Sequence, residues 1–337
     1  MKASGAPNNN SLQVKPVCII GNLNIDLIIR NVPRLPTWGT EVFGESHVIV
    51  SSGQAGYIGL ALTHLGIPTS IIGNVGQDVN GQQILNDLKA SGADISACEK
   101  TASDQTGITV AIVRMDGERA FVSNFASLRD FDEALALRHW DKIHQAGIVG
   151  MVGTFALPNL KLNAIARLMA KAYQSGKVTM LDTGWDPSNW QDDTILDIKE
   201  ILHYVTLFMP NLDEARAITK AETVQEAGDI LATLGPAVVV IKCGAEGSYA
   251  KMGGHTYFLP TQSVEVNDAV GAGDTFDAGF IYGYRRGWPI EACLAFGNSA
   301  AALYVSKDND RYPDINDVMN IAKLYKAFSS NLIKGEV

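Results

Sequence analysis

The residues best equipped for chemistry lie in one run, Val264 to Gly283, VEVNDAVGAGDTFDAGFIYG. It reads as a short β-branched strand, a Gly-Ala-Gly turn, and a helix opening at Asp274 and Thr275. Gly271 and Gly273 lack a Cβ, so the backbone can turn sharply and a ligand can approach it closely. The N–H groups of a helix's first turn point outward, and the helix dipole favours an anion there. Asp274, in that turn, is a carboxylate within reach of a substrate proton. An anion-binding turn beside a proton acceptor is the minimum equipment for phosphoryl transfer. A dinucleotide fingerprint needs G-x-G-x-x-G, and Phe276 stands at the third position. Glu291 lies about 20 residues on, where that fingerprint wants an acid, but it follows Trp288-Pro289-Ile290, a helix start. A Walker A loop is absent, since Gly176-Lys177 is followed by Val178. The competing structural reading is a helix N-cap that carries glycines and an Asp for capping alone.

The elements around this run alternate. Val17 to Ile20, Thr69 to Val75, Gly147 to Val152, Val178 to Asp182, Leu207 to Met209 and Ala237 to Lys242 read as buried strands. Tyr57 to Leu65, Gln82 to Ser91, Leu160 to Gln174 and Thr223 to Leu234 read as helices between them. Such alternation predicts an α/β fold with a mostly parallel sheet covered by helices on both faces. Two polar pieces interrupt it, Leu35 to Val50 and Thr106 to Asn124, and read as antiparallel strands. Asp116-Gly117 is a strong hairpin turn within the second. Together they predict a small β lid able to exclude water from a cleft.

Asn24 and Asp26 follow the first strand, where ligands of parallel sheets gather, and alternation puts both on one side. A carboxylate there can accept two hydroxyls of a polyol. The alternative is that both satisfy turn backbone. Asn211 and Glu214 are three apart at a helix start, a spacing that suits a capping box and also puts them on one face.

GAGDTFDAGF resembles the C-terminal signature of the ribokinase-like (pfkB) carbohydrate kinases. CIIGNLNIDLII, SSGQAGYIGLALTHLG, MPNLDEA and VVVIKCGAEGSY resemble further motifs of that family, in the same order along nearly the whole chain. The resemblance implies a three-layer ribokinase-like domain over 15–330, with lid segments near 35–50 and 106–124 through which members often dimerise. It implies ATP as phosphoryl donor and Asp274 as catalytic base, with Gly271, Ala272 and Gly273 as the anion hole. Asn24, Asp26, Gly53, Gln54 and Tyr57 would face the sugar. Lys242, Gly244, Gly247 and Asn298 would wall the nucleotide. Asn211 and Glu214 would hold Mg²⁺ through waters, as befits an ion that keeps much of its hydration. Asp268 would belong to a monovalent-cation site for K⁺, although Ala269 replaces the usual Thr after it. The glycine-rich segment departs too: Ser52-Gly53 stands for Gly-Gly, and Tyr57 for a sugar-binding Asn. Asp182-Thr183-Gly184-Trp185-Asp186-Pro187 replaces Asp-Pro-Asn, so Trp185 is a stacking wall for the acceptor or a core residue.

The whole chain fits these expectations. Its 337 residues are 46% hydrophobic, enough for a large core. A net charge of −9 disfavours nucleic-acid and anionic-membrane partners. Cys18, Cys98, Cys243 and Cys293 are widely spaced, with no C-x-x-C, and three lie in apolar runs as buried small hydrophobes. Residues 1–14 read as a disordered tail, since Met1 to Leu12 lacks the apolar core of a signal peptide. The sequence reading is therefore a cytoplasmic kinase acting on a sugar or sugar-like alcohol. A nucleoside kinase of the same fold and a non-catalytic sugar or nucleotide sensor are the alternatives.

Overall fold

The computed structural model describes residues 9–307 and 311–326. Strands β1 (Val17–Ile20), β4 (Thr69–Val75), β5 (Asp94–Lys100), β8 (Ile148–Val152), β9 (Val178–Asp182), β10 (Leu207–Phe208), β11 (Val238–Lys242), β12 (Ser248–Met252) and β13 (His255–Leu259) form one sheet. Strands β2 (Asn24–Val32), β3 (Ser46–Ser52), β6 (Ile108–Arg114) and β7 (Arg119–Asn124) form a second. The large sheet runs β13-β12-β11-β10-β9-β8-β1-β4-β5. It is parallel except at β12 and β13, which pair antiparallel.

Both faces of the large sheet are covered, for a reason visible in β1. Side chains alternate across a strand. Val17 and Ile19 join one apolar core with the helices Gln54–His64, Ala272–Arg285 and Ile290–Ser306. Cys18 and Ile20 join the other with the helices Leu162–Gln174, Asp192–Leu202 and Val224–Thr233. The helices 272–285 and 290–306 touch backbone to backbone: a Cβ on Gly279 would lie 2.9 Å from Gly297 Cα. The three-layer α/β architecture is the expected one. Cys18, Cys243 and Cys293 are buried, as their apolar settings predict. Among the described residues no helix is long and apolar enough to cross a membrane.

Several expectations change. The lid sheet is ordered β3-β2-β6-β7, and β2 pairs β6 in parallel, so it is not wholly antiparallel. Asn24 and Asp26 open its strand β2 rather than closing the first strand of the large sheet, and 35–45 is irregular. Val264 to Asn267 is loop, with Val266 exposed, because no neighbouring strand offers it a ladder. Finally, Asn9–Val14 is helical where a disordered tail was expected. Leu12 there is buried, and the Arg285 guanidinium donates to the carbonyls of Leu12, Gln13 and Lys15. Residues 1–8 lie outside the described residues.

Candidate active site

The helix Ala272–Arg285 starts on Gly271, whose φ of 85° favours glycine. Space demands it as well. A Cβ there would lie 2.7 Å from Tyr304 Oη and 2.8 Å from the Tyr57 ring. The Ala272 N–H donates to Ala269 O (3.2 Å), and the next first-turn N–H groups are those of Gly273 and Asp274. Ala272, expected in the anion hole, is thus already engaged, and Gly273 and Asp274 are the candidate donors.

Asp274 is buried beside them, and its Oδ1 makes no hydrogen bond. Burial, then the charge of Asp182, pushes its carboxyl up to about 8; Lys242 and the Gln54 amide pull it back. The helix N-terminus alone predicts a more acidic group, so desolvation and a like charge outweigh the dipole. Asp277, one turn on, is fully buried and raised in the same way, chiefly by burial. Lys242 joins these acids: its Nζ lies 2.7 Å from Asp182 Oδ2 and 3.1 Å from Asp277 Oδ2. Gln54 Nε2 donates to the same Asp182 oxygen at 3.0 Å. The ammonium expected at the base-side wall thus turns inward, because the buried carboxylates of Asp182 and Asp277 hold it. Lys242 still lines a cavity beside this cluster.

That cavity measures about 450 Å³ and is bordered by Lys242, Gly244, Gly247, Gly273, Phe276 and Asn298. All four expected nucleotide-wall residues therefore meet in one place. Asn298 Nδ2 also donates to Leu259 O at 3.0 Å, which fixes the loop after β13 against the wall.

Asn211 and Glu214 form a complete capping box. Asn211 Oδ1 accepts from Glu214 N (2.8 Å), and Glu214 Oε2 accepts from Asn211 N (3.0 Å). Glu214 is buried, and burial followed by Asp182 raises its carboxyl to about 7. The cap therefore exists and does not exclude a metal role. Buried carboxylates that raise one another, with Asp274 Oδ1 and Asp277 Oδ1 unbonded, make a site short of positive charge. A hydrated Mg²⁺, which needs few protein ligands, fits that shortage. Among the described residues no three His, Cys, Asp or Glu side chains converge as a dedicated metal cage.

On the lid side, Asn24, Asp26, Ser52 and Tyr57 make one network. Asp26 Oδ1 accepts from Asn24 Nδ2 (2.9 Å) and Ser52 Oγ (2.7 Å), and Asp26 Oδ2 from Tyr57 Oη (2.8 Å). Burial raises the Asp26 carboxyl, and these donors oppose it. Gly53 must be glycine, since a Cβ would lie 2.3 Å from Asn22 O. A cavity of about 230 Å³ opens beside Asn22, Asn24, Thr109, Asn124, Phe155 and Trp185. Trp185 is half exposed there, a wall rather than a core residue. Of the residues expected to face the sugar, Asn24 borders this cavity, whereas Asp26, Gly53, Gln54 and Tyr57 do not; the Tyr57 hydroxyl is held by Asp26, and its ring borders a separate cavity with His64 and Tyr312. Asp268, expected to hold a monovalent cation, is instead bonded by Arg30 and Arg311, each at 3.1 Å.

Comparison with known proteins decides the family. The model of the pfkB family carbohydrate kinases matches residues 15–317. The chain belongs to the pfkB family. Ribokinase of Bacillus subtilis (strain 168) is 29% identical over 292 residues, covering 87% of this chain and 93% of its own. Arabidopsis thaliana ribokinase, solved with ribose and ATP, superposes at TM-score 0.78 with 23% identity, over 92% of this chain and 99% of that one. A putative ribokinase II from E. coli, solved with ATP and Mg²⁺, gives TM-score 0.77 at 19% identity, over 93% and 100%. The protein is a carbohydrate kinase.

Within this pfkB kinase, sequence reasoning missed several residues. Asp277 carried a signal: it lies three residues after Asp274 on the same helix, hence on the same face. Asp182 ends a buried strand, the position where α/β sheets gather ligands. Arg30 and Arg311 carried none, since nothing local ties either to the turn at Asp268.

Proposed function

We propose that the chain transfers the γ-phosphoryl group of ATP to a hydroxyl of a sugar or sugar-like alcohol, with Asp274 accepting the hydroxyl proton. One observation carries the reading: a buried carboxylate at a helix start, with an unbonded oxygen and its acidity weakened to about 8. A base with that acidity is well matched to proton transfer near neutral pH. The N–H groups of Gly273 and Asp274 receive the charge that develops on the transferred group, and positioning of this kind dominates loose phosphoryl transfer. Lys242 supplies a cation beside them, and Asp182 and Asp277 hold it. Asn24 and Asp26 hold acceptor hydroxyls, with Gly53 and Gln54 fixing the turn behind them and Trp185 as an apolar wall. Tyr57 acts on the acceptor through Asp26. Gly244, Gly247 and Asn298 border the base of the nucleotide. Asn211 and Glu214 hold Mg²⁺ through waters; when bound, that ion neutralises phosphate charge.

The lid supports two further parts of the reading. It covers the acceptor side and excludes water. It also exposes Ile49, Phe121 and Val122, apolar residues suited to pairing with a second copy. Sedimentation should then give a dimer that Phe121→Asp dissolves. Four unpaired cysteines fit a reducing cytoplasm. The central test is ADP release over sugars, sugar phosphates and nucleosides with Mg·ATP. A sugar should be the best acceptor, and silence across every sugar would overturn the reading.

A further inference from the structure

The turn that leads into the anion donors is held by a cation belonging to the chain. The Asp268 side chain is 1% exposed. Its Oδ1 accepts from Val270 N (2.9 Å), and its Oδ2 accepts from Arg30 Nη2 and Arg311 Nη1 (both 3.1 Å). Arg311 Nη2 also donates to the carbonyls of Asp268 (3.0 Å) and Val270 (3.2 Å). One buried guanidinium thus gathers a carboxylate and two carbonyl oxygens immediately before Gly271. The oxygen set is of the type a hard cation takes. Here its members are bonded to a group that is always charged and presents its donors in a rigid fork. The guanidinium also sits over the Tyr304 ring, 4.2 Å from its centroid. Tyr304 Oη in turn abuts the position a Gly271 Cβ would take. The same side chain therefore braces the turn through its carbonyls and through the ring behind it.

We propose that Arg311 is a built-in monovalent cation that fixes the Asp268–Gly271 turn and makes this kinase independent of K⁺. The residues do not fit an exchangeable K⁺, because the guanidinium already uses the oxygens such an ion would need. Arg311 is a positioning residue: it acts on the phosphoryl group only through the backbone that presents Gly273 and Asp274. This inference rests on the kinase reading above.

The test uses the full chain with tetramethylammonium as the sole monovalent cation, with and without added KCl, reading both turnover and Tm. Wild type should show neither activation nor a Tm rise beyond that given by choline chloride at equal ionic strength. Arg311→Ala should lose kcat/KM for ATP by about 10²-fold, the scale of a small misplacement in a positioned site. It should regain part of that loss on adding K⁺ or low guanidinium chloride, and its Tm should rise with K⁺ specifically. Strong K⁺ activation of wild type, or a K⁺-specific rise in its Tm, would overturn the proposal. So would an Arg311→Ala protein that works normally without either cation. If Arg311→Ala does not fold, the wild-type arms decide, with Arg311→Lys as the second variant. Lys keeps the charge but not the fork, so it should stay K⁺-independent with a weakened ATP kcat/KM; K⁺ activation of it would count against the proposal. The Tm arm needs no turnover. A wild type inactive on every acceptor therefore sinks the kinase reading while the Tm response still decides the role of Arg311.

Discussion

Asp274→Asn should inactivate the enzyme and stabilise it. Burial and the charge of Asp182 raise the Asp274 carboxyl from 3.8 to about 8. Between those values the folded state binds more protons than the unfolded chain, so stability falls as pH rises. The stabilising protonated form is fully present below about pH 4 and lost as pH approaches about 8. At about 1.36 kcal/mol per pH unit, the ceiling on that loss is about 5–6 kcal/mol. Asn has the same shape and cannot ionise, so the variant escapes the loss. Glu214, raised to about 7, titrates in both proteins and cancels in the comparison. The two should therefore melt together only below about pH 4. The variant should gain with every step to pH 8, reaching at least about 1.4 kcal/mol, the free energy of one pH unit. Over the same range its kcat should be lower by about 10²–10⁴-fold, the usual worth of a general base. The assays are calorimetric melts from about pH 4 to about pH 9 and ADP release under saturating substrates. A variant that keeps most of its kcat refutes the base assignment. A stability difference that does not grow with pH refutes the electrostatic account.

Other outcomes follow from the same geometry. Lys242→Met leaves Asp182 and Asp277 without their ammonium, so it should cost about 3–5 kcal/mol by denaturant unfolding. It should also move the acid limb of the kcat/KM profile to higher pH, and an unmoved limb would show that Lys242 does not tune Asp274. Tyr57→Phe removes the 2.8 Å hydrogen bond to Asp26. It should raise the acceptor KM and lower stability by about 1–3 kcal/mol while leaving the ranking of acceptors unchanged; a reordered ranking would put the hydroxyl on the acceptor itself. Trp185→Ala should raise the acceptor KM by up to about tenfold, the worth of an aromatic contact, with the ATP KM unmoved; equal effects on both would make Trp185 structural.

What the sequence made legible is what is local. The Gly271–Asp274 turn, its carboxylate and the capping box each lie within a few residues, so chain geometry alone assembles them. The β1 run was legible because a strand buried on both faces is apolar throughout. Val264 to Val266 misled because β-branched residues describe a surface that fits a sheet, and no neighbouring strand was there to complete it. The register of the lid was hidden for a related reason: the parallel pairing of β2 with β6 joins segments about eighty residues apart, as Ile25 opposite Ile108 shows. Lys242 meets Asp277 across 35 positions and Asp182 across 60, and Arg311 meets Asp268 across 43. No periodicity or spacing rule spans such separations.

The acidity of Asp274 shows why the distinction matters for chemistry as well as for topology. A local argument sees a carboxylate at a helix start and concludes that it holds its charge cheaply, worth about 0.3–1 kcal/mol near a surface. The fold removes that carboxylate from water and sets Asp182 beside it, and each effect acts in the opposite direction. Burial shifts a carboxyl by up to several pH units, several times the dipole's effect, so the non-local terms win. The result is a carboxyl group that holds its proton more tightly than the motif alone describes. It is obtained by letting the sheet bring Asp182 to the foot of the helix and offsetting it only in part with Lys242. Replacing Asp182 with Asn should therefore lower the acid limb of the pH profile, the reverse of the Lys242→Met effect. Opposite movements in the two variants are the signature of a base tuned by its neighbours, and movements of the same sign would leave the helix terminus as the controlling influence.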